Sequence, residues 1–107
     1  MATKFQESVW KAIALIPRGK VTTYGEIAKY MGSNAVRAIG TAVGKNPYAP
    51  EVPCHRVVLS SGRIGNYSGG NGTPVKISLL SEEGVSVKDG KIVNFDDIFY
   101  SFESPIG

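Results

Sequence analysis

The sequence predicts a mainly α domain with a small β component, arranged like a winged helix-turn-helix. Three observations predict it. Apolar residues recur at helical spacing near the start of the chain and a capped helical segment returns over 73–83; two short helical segments, 24–31 and 34–44, are joined across Gly32; and the extended stretches are short, the clearest being a hairpin centred on Asp89-Gly90.

Taken in order, residues 5–16 (FQESVWKAIALI) place Phe5, Val9, Ala12, Ile13 and Ile16 on one helical face, and Pro17 with Gly19 ends the helix. Val21 and Thr22 form a short extended link. Thr23-Tyr24-Gly25-Glu26 matches a capping box, in which the Thr23 hydroxyl accepts from the Glu26 amide and the Glu26 carboxylate reaches back. Gly32 supplies the left-handed conformation that stops the resulting helix, and Ser33 caps the next one, NAVRAIGTAVG. This pair reads as helix-turn-helix, with the second helix facing DNA. Ala35, Ala38, Gly40, Thr41 and Ala42 make that helix slim, and Arg37 is its only charge. A major-groove reader carries several hydrogen-bonding side chains near its start. A thin helix with one long cation suits close approach to a narrow groove with little base readout.

Three prolines in 47–53 exclude regular helix or central strand and predict a shaped loop that delivers Cys54. Residues 55–59 and 62–64 read as extended segments around Ser60-Ser61-Gly62. GNYSGGNG (65–72) has four glycines, so backbone can come close to a ligand there. Thr73-Pro74 opens a helix that runs to about Glu83, with Gly84 as its stop. VSVKDGKIVNF is a hairpin with Val85, Val87 and then Ile92 or Val93 as apolar positions. Phe95, Phe99 and Phe102 let the final residues dock as a turn of helix or remain loose. The expected division is one domain over 1–94 and an acidic aromatic tail over 95–107.

Composition agrees with a single domain. At 107 residues the chain supports one hydrophobic core, and 42% apolar with 20% charged residues excludes a fibre or a disordered chain. No apolar run reaches the ~20 residues of a membrane span, and MATKFQESVWK lacks the apolar stretch of a signal peptide. The expectation is an intracellular protein, cytoplasmic or nuclear in a eukaryote, with no membrane partner. A single cysteine cannot form an internal disulfide, which agrees with a reducing compartment. The net charge of +3 conceals an asymmetry. All 12 Lys and Arg precede residue 95 together with six acids, for +6, while the tail holds Asp96, Asp97 and Glu103 and nothing basic. Such a domain is compatible with a polyanionic partner.

The chemistry centres on EVPCHRVV (51–58), where the only cysteine and the only histidine stand side by side. Cysteine attacks as its thiolate, which a neighbouring base makes available. Adjacent residues of a strand point to opposite faces, so either the proline-bent backbone brings Cys54 and His55 together or a water bridges them. A carboxylate must fix the His55 tautomer, and Glu82 or Glu83 can supply it. No second catalytic base for deacylation is evident, which fits a cysteine alkylated once better than a turnover hydrolase. With no CxxC or HxxxH partner, Cys54-His55 falls short of the four ligands of a structural zinc site, and no metal is expected.

On these residues the chain resembles the C-terminal, active-site domain of the O6-alkylguanine-DNA alkyltransferases (methylated-DNA–protein-cysteine methyltransferases). The resemblance runs from about Phe5 to Val85 through GKVTTYGEIA, SNAVRAIGTAVGKNP, VPCHRVV, GNYSGG and LLSEEG. It implies that Cys54 accepts the alkyl group and that His55, held by Glu83, draws the thiol proton through a water. Asn46 would bond the turns that carry the loop, and Tyr24 would donate towards N3 of the departing guanine. Arg37 would fill the space left by a flipped nucleotide, with Thr23, Ser33, Ala35 and Ala38 along the same DNA face. Tyr67, Ser68 and Gly69 would wall the base pocket, while Val57 and the Cys54 carbonyl bond the exocyclic amine; Arg56 would be structural. The implied partner is double-stranded DNA approached from the minor groove with little sequence specificity, bound by a monomer. No cofactor is implied, because the protein itself is the acceptor. Most members carry an additional N-terminal domain, for which this chain leaves no room. Single-domain alkyltransferase-like relatives replace the cysteine and flag lesions for other repair factors; retention of Cys54 favours transfer over that alternative. A sequence-specific helix-turn-helix regulator is disfavoured by the lack of base-reading side chains.

Overall fold

The computed structural model describes residues 3–48, 51–65 and 73–102. Helix α1, Lys4–Ala14, opens with a reciprocal cap: the Thr3 hydroxyl accepts from the Gln6 amide, and the Gln6 side chain accepts from the Thr3 amide. Its buried face carries Val9, Trp10, Ala12 and Ile13. There follow β1 (Thr22–Thr23), α2 (Tyr24–Tyr30), α3 (Val36–Gly44), a 3-10 turn (Cys54–Arg56), β2 (Val57–Val58), α4 (Thr73–Glu82), β3 (Val87–Lys88), β4 (Lys91–Ile92) and α5 (Phe95–Ile98).

The Thr23 hydroxyl accepts from the Glu26 amide at 3.1 Å, as expected. The reciprocal half of that box does not form, because the Glu26 carboxylate accepts from the Ser101 hydroxyl at 2.8 Å instead. Gly32 adopts φ +66° and ends α2, and the Ser33 amide returns to the Ala28 carbonyl. Helix α3 starts later than predicted, with Ala35 at its cap and no side chain capping it. The turn consumes residues 33–35: the Ser33 hydroxyl accepts from the Ala35 amide, and the Val36 amide bonds the Asn34 carbonyl. Trp10 Nε1 donates to the Ala42 carbonyl at 2.8 Å, pinning α3 onto α1.

Strand β1 pairs in parallel with β2, Thr22 opposite Val57 and Thr23 opposite Val58. This short ladder lies between two apolar clusters. One gathers Val9, Ile13, Ile27, Ile39, Cys54 and Val57 among the first three helices and the 3-10 turn; the other gathers Val21, Val58, Ile64, Leu80, Val85 and Ile92. The hairpin β3–β4 turns through Asp89 (φ 53°) and Gly90 (φ 77°), both in the left-handed region that such two-residue turns require. Of the two candidate core residues after the turn, Ile92 is buried and Val93 is 62% exposed.

The chain does not leave the domain at residue 94. Val21 bridges Phe99, the Tyr100 amide donates to the Val21 carbonyl at 2.7 Å, and the Thr22 hydroxyl donates to the Tyr100 carbonyl. The buried Phe102 ring stacks on Tyr30 with 4.4 Å between centroids. Residues 95–102 therefore add an extended segment beside β1 and an aromatic plug to the core, while Asp96 and Asp97 stay exposed. Among the described residues, no helix is long and apolar enough to cross a membrane.

Candidate active site

The loop before Cys54 is held by Asn46, which stands two residues beyond the end of α3. Its amide donates to the Val52 carbonyl at 2.8 Å and its side-chain oxygen accepts from the Tyr48 amide at 3.0 Å. Pro53 then leads into the 3-10 turn, closed by Arg56 N–H to the Pro53 carbonyl and Val57 N–H to the Cys54 carbonyl. The expected extended segment thus begins at Val57 rather than at His55. In a 3-10 turn successive side chains diverge by about 120° instead of pointing to opposite faces, so the prolines do reshape the relation of Cys54 to His55. Both are buried, at 4% and 2% exposure.

Glu83, not Glu82, faces His55. His55 Nε2 lies 2.8 Å from Glu83 Oε2. Helical phase makes the choice: Lys76, Leu80 and Glu83 fall at i, i+4 and i+7 on the face of α4 and its terminal turn that meets the 3-10 turn, while the Glu82 carbonyl accepts from Arg18. Glu83 also receives Arg56 Nε (2.9 Å), Arg56 Nη2 (2.7 Å) and the Gly19 amide (3.3 Å). Arg56 Nη1 continues to the Ile16 carbonyl at 2.6 Å. Burial alone would raise the Glu83 carboxyl, but the bonds from Arg56, His55 and Gly19 outweigh it and bring the pKa to about 2. Burial pushes the His55 pKa below its ordinary value; the hydrogen bond and charge of Glu83 oppose this, and the charges of Arg56 and Lys76 add to it. His55 is therefore a neutral imidazole near pH 7. With a carboxylate against Nε2, the proton sits on Nε2. The buried Nδ1 has no hydrogen-bond partner among the described residues and offers its lone pair as a base.

Tyr24, the first residue of α2, has its pKa raised by burial and by the charge of Cys54, so it remains a phenol. Sequence reasoning missed Lys76. It is 0% exposed in α4 and donates to the Val57 carbonyl at 2.7 Å; its pKa is lowered by burial to about 8, with the Cys54 charge acting the other way. The signal was present in TPVKISLLSE, where Lys76 lies on the same helical stripe as Leu80.

Arg37, Ala35 and Ala38 are exposed and line an open, largely apolar groove with Thr41 of α3 and with Thr3, Phe5 and Gln6 at the start of α1. Ser33 is half-buried in the turn. Thr23 is 7% exposed and its hydroxyl is committed to the α2 cap, which leaves little of it to meet a ligand. Val57 is fully buried, with its carbonyl on Lys76. Tyr67, Ser68 and Gly69 lie outside the described residues. Among the described residues, no three His, Cys, Asp or Glu side chains gather to hold a metal ion.

The family model of the 6-O-methylguanine DNA methyltransferase DNA-binding domain matches residues 4–85. A methylated-DNA–protein-cysteine methyltransferase of Methanosarcina acetivorans is 48% identical over 83 residues, covering 77% of this chain and 52% of the relative. Its counterpart from Mycobacterium tuberculosis is 52% identical over 69 residues, covering 64% and 42%. The chain thus spans about half the length of these relatives. Among solved structures, Mycobacterium tuberculosis OGT in complex with DNA aligns with a TM-score of 0.72 at 48% identity over 78% of this chain and 51% of that one. S. pombe Atl1, in complex with damaged DNA containing O6-carboxymethylguanine, aligns with a TM-score of 0.81 at 33% identity over 95% of this chain and 100% of that one. The helix pair, the buried Cys54-His55-Glu83 line and these matches agree: the chain belongs to the 6-O-methylguanine DNA methyltransferase family.

Proposed function

We propose that this protein repairs DNA by moving the alkyl group of O6-alkylguanine onto Cys54, once per molecule and irreversibly. The observation that carries the reading is the polarity of the relay. Glu83 fixes the proton on His55 Nε2 and leaves a buried Nδ1, with no hydrogen-bond partner among the described residues, in the residue next to the only cysteine.

The thiol proton passes to His55 Nδ1 through a water, and the imidazolium so formed is held by Glu83. The sulfur then attacks the alkyl carbon in line. An S–C bond forms, the O6–C bond breaks, and the electron pair leaves on the guanine, which takes up a proton. Tyr24, kept as a phenol, donates towards N3 of that purine. The Val57 and Cys54 carbonyls accept from its exocyclic amine. Asn46 keeps the loop in register, which supplies positioning.

The alkylated oxygen is hidden in a duplex, so the nucleotide must swing out at a cost of a few kcal/mol. The exposed Arg37 on the slim α3 enters the vacated space from the minor groove, with Ala35 and Ala38 permitting close approach. Few side chains on this face read base edges, so sequence specificity is low. The protein acts as a monomer on double-stranded DNA, inside the cell, in the cytoplasm or a eukaryotic nucleus.

A second reading, lesion binding without transfer, is favoured by the alignment with Atl1 over nearly the whole chain. Incubation with excess duplex bearing O6-methylguanine separates the two. Guanine restored in the DNA should plateau at one equivalent per protein, and Cys54→Ser should bind the duplex but restore none. Bound lesion with no restored guanine in the wild type would establish the second reading instead.

A further inference from the structure

We propose that Lys76 is the electrostatic partner of the Cys54 thiolate, a cation built into α4 to hold the charge the sulfur carries when it attacks. This rests on Cys54 being the nucleophile. A lysine buried to 0% exposure is costly unless its charge is matched. Lys76 projects from α4 onto the segment that carries Cys54, with Nζ fixed 2.7 Å from the Val57 carbonyl, three residues past the sulfur. The charge of Cys54 is felt from two sides, by Tyr24 on α2 and by Lys76 on α4.

The charges around the relay give Lys76 its role. The carboxylate of Glu83 is matched by the guanidinium of Arg56, so that pair presents no net charge to the sulfur. Burial drives His55 towards its neutral form, so the imidazolium made by taking the thiol proton depends on Glu83 to hold it. Lys76 is a second positive charge, on a different element from His55, beside a cysteine segment whose other titratable and charged neighbours are Tyr24, His55, Arg56 and Glu83. When the S–C bond forms, the sulfur becomes a neutral thioether and its contribution to holding Lys76 as an ammonium is lost.

Iodoacetamide reports the thiolate without needing DNA or a purine pocket. Lys76→Met should lower its rate of Cys54 carboxamidomethylation at pH 7 by about tenfold or more and move the half-maximal rate to higher pH, while Lys76→Arg keeps most of the wild-type rate. A folded Lys76→Met protein that reacts like wild type across the pH range overturns the proposal. Should Lys76→Met not fold, the wild type answers instead. In carbon-13 NMR of labelled lysine, the Lys76 titration midpoint should fall once Cys54 is methylated with iodomethane, and an unmoved midpoint overturns the proposal. The functional reading fails separately: a protein that follows the iodoacetamide expectations but restores no guanine in O6-methylguanine duplex keeps the ion pair and loses the repair activity.

Discussion

Replacing Glu83 by Gln removes one charge from the centre of the relay and leaves the side-chain shape. In the wild type, four N–H groups converge on its two oxygens: His55 Nε2 and Arg56 Nη2 on Oε2, Arg56 Nε and the Gly19 amide on Oε1. Gln offers one oxygen, so in either orientation two donors meet an NH2 group. The folded carboxyl sits at about 2 against an ordinary 4.5, a difference worth at most roughly 3 kcal/mol, and solvent screening at the edge of the site brings the working figure to about 2 kcal/mol. Because the folded pKa is depressed, this stability is fully present above pH 4.5 and is lost as pH falls towards 2. Wild type should therefore lose stability across that window, and Glu83→Gln should lack that part of the pH dependence. At neutral pH the variant should melt about 8–16 °C lower, measured by circular dichroism. The chemical effect is larger. Arg56 claims the Gln oxygen, the NH2 group faces His55 Nε2, and the imidazole proton moves to Nδ1, which removes the base. Methyl transfer from O6-methylguanine duplex should slow by at least ~100-fold, within the range of general-base catalysis. A variant with wild-type melting and a transfer rate within about twofold of wild type would refute the relay.

Asn46→Ala frees both ends of the loop before Cys54; it should cost about 1–2 kcal/mol in urea denaturation and slow transfer about tenfold. Arg37→Ala should leave the melting temperature unchanged, since the side chain is exposed, and weaken binding to lesion duplex by at least about tenfold in fluorescence anisotropy. Phe102→Ala removes a buried ring stacked on Tyr30 and should cost about 3 kcal/mol by the same denaturation assay. Trp10→Phe loses the bond to the Ala42 carbonyl, which keeps a second donor in the Lys45 amide, so its cost should be nearer 1 kcal/mol.

Helices α1 and α2 and the hairpin turn were legible because each carries a local signal. The spacing of Val9, Ala12, Ile13 and Ile16 marks α1, the Thr23 cap marks α2, and Asp89-Gly90 marks the hairpin turn. The parallel pair β1–β2 was not. Each strand has two residues, too few to show alternation, and their pairing depends on segments far apart in sequence. The same distance hid the docking of Phe99 and Phe102, whose aromatic spacing says that they seek a surface but not which one. Cys54, His55 and a glutamate partner could be read from chemistry, because uncommon residue types adjacent in sequence restrict the options. The choice between Glu82 and Glu83 required the phase of α4 against the 3-10 turn. Lys76 escaped notice because a lysine in a short helix is ordinarily a surface residue, and only packing puts this one at 0% exposure beside the cysteine loop.

The most direct measurement is on the protein itself. After one incubation with O6-methylguanine duplex, peptide mass mapping should find a single methyl group on Cys54, in amounts equal to the guanine restored. Methyl found on another residue, or an unmodified Cys54 in a protein that has consumed the lesion, would contradict the account.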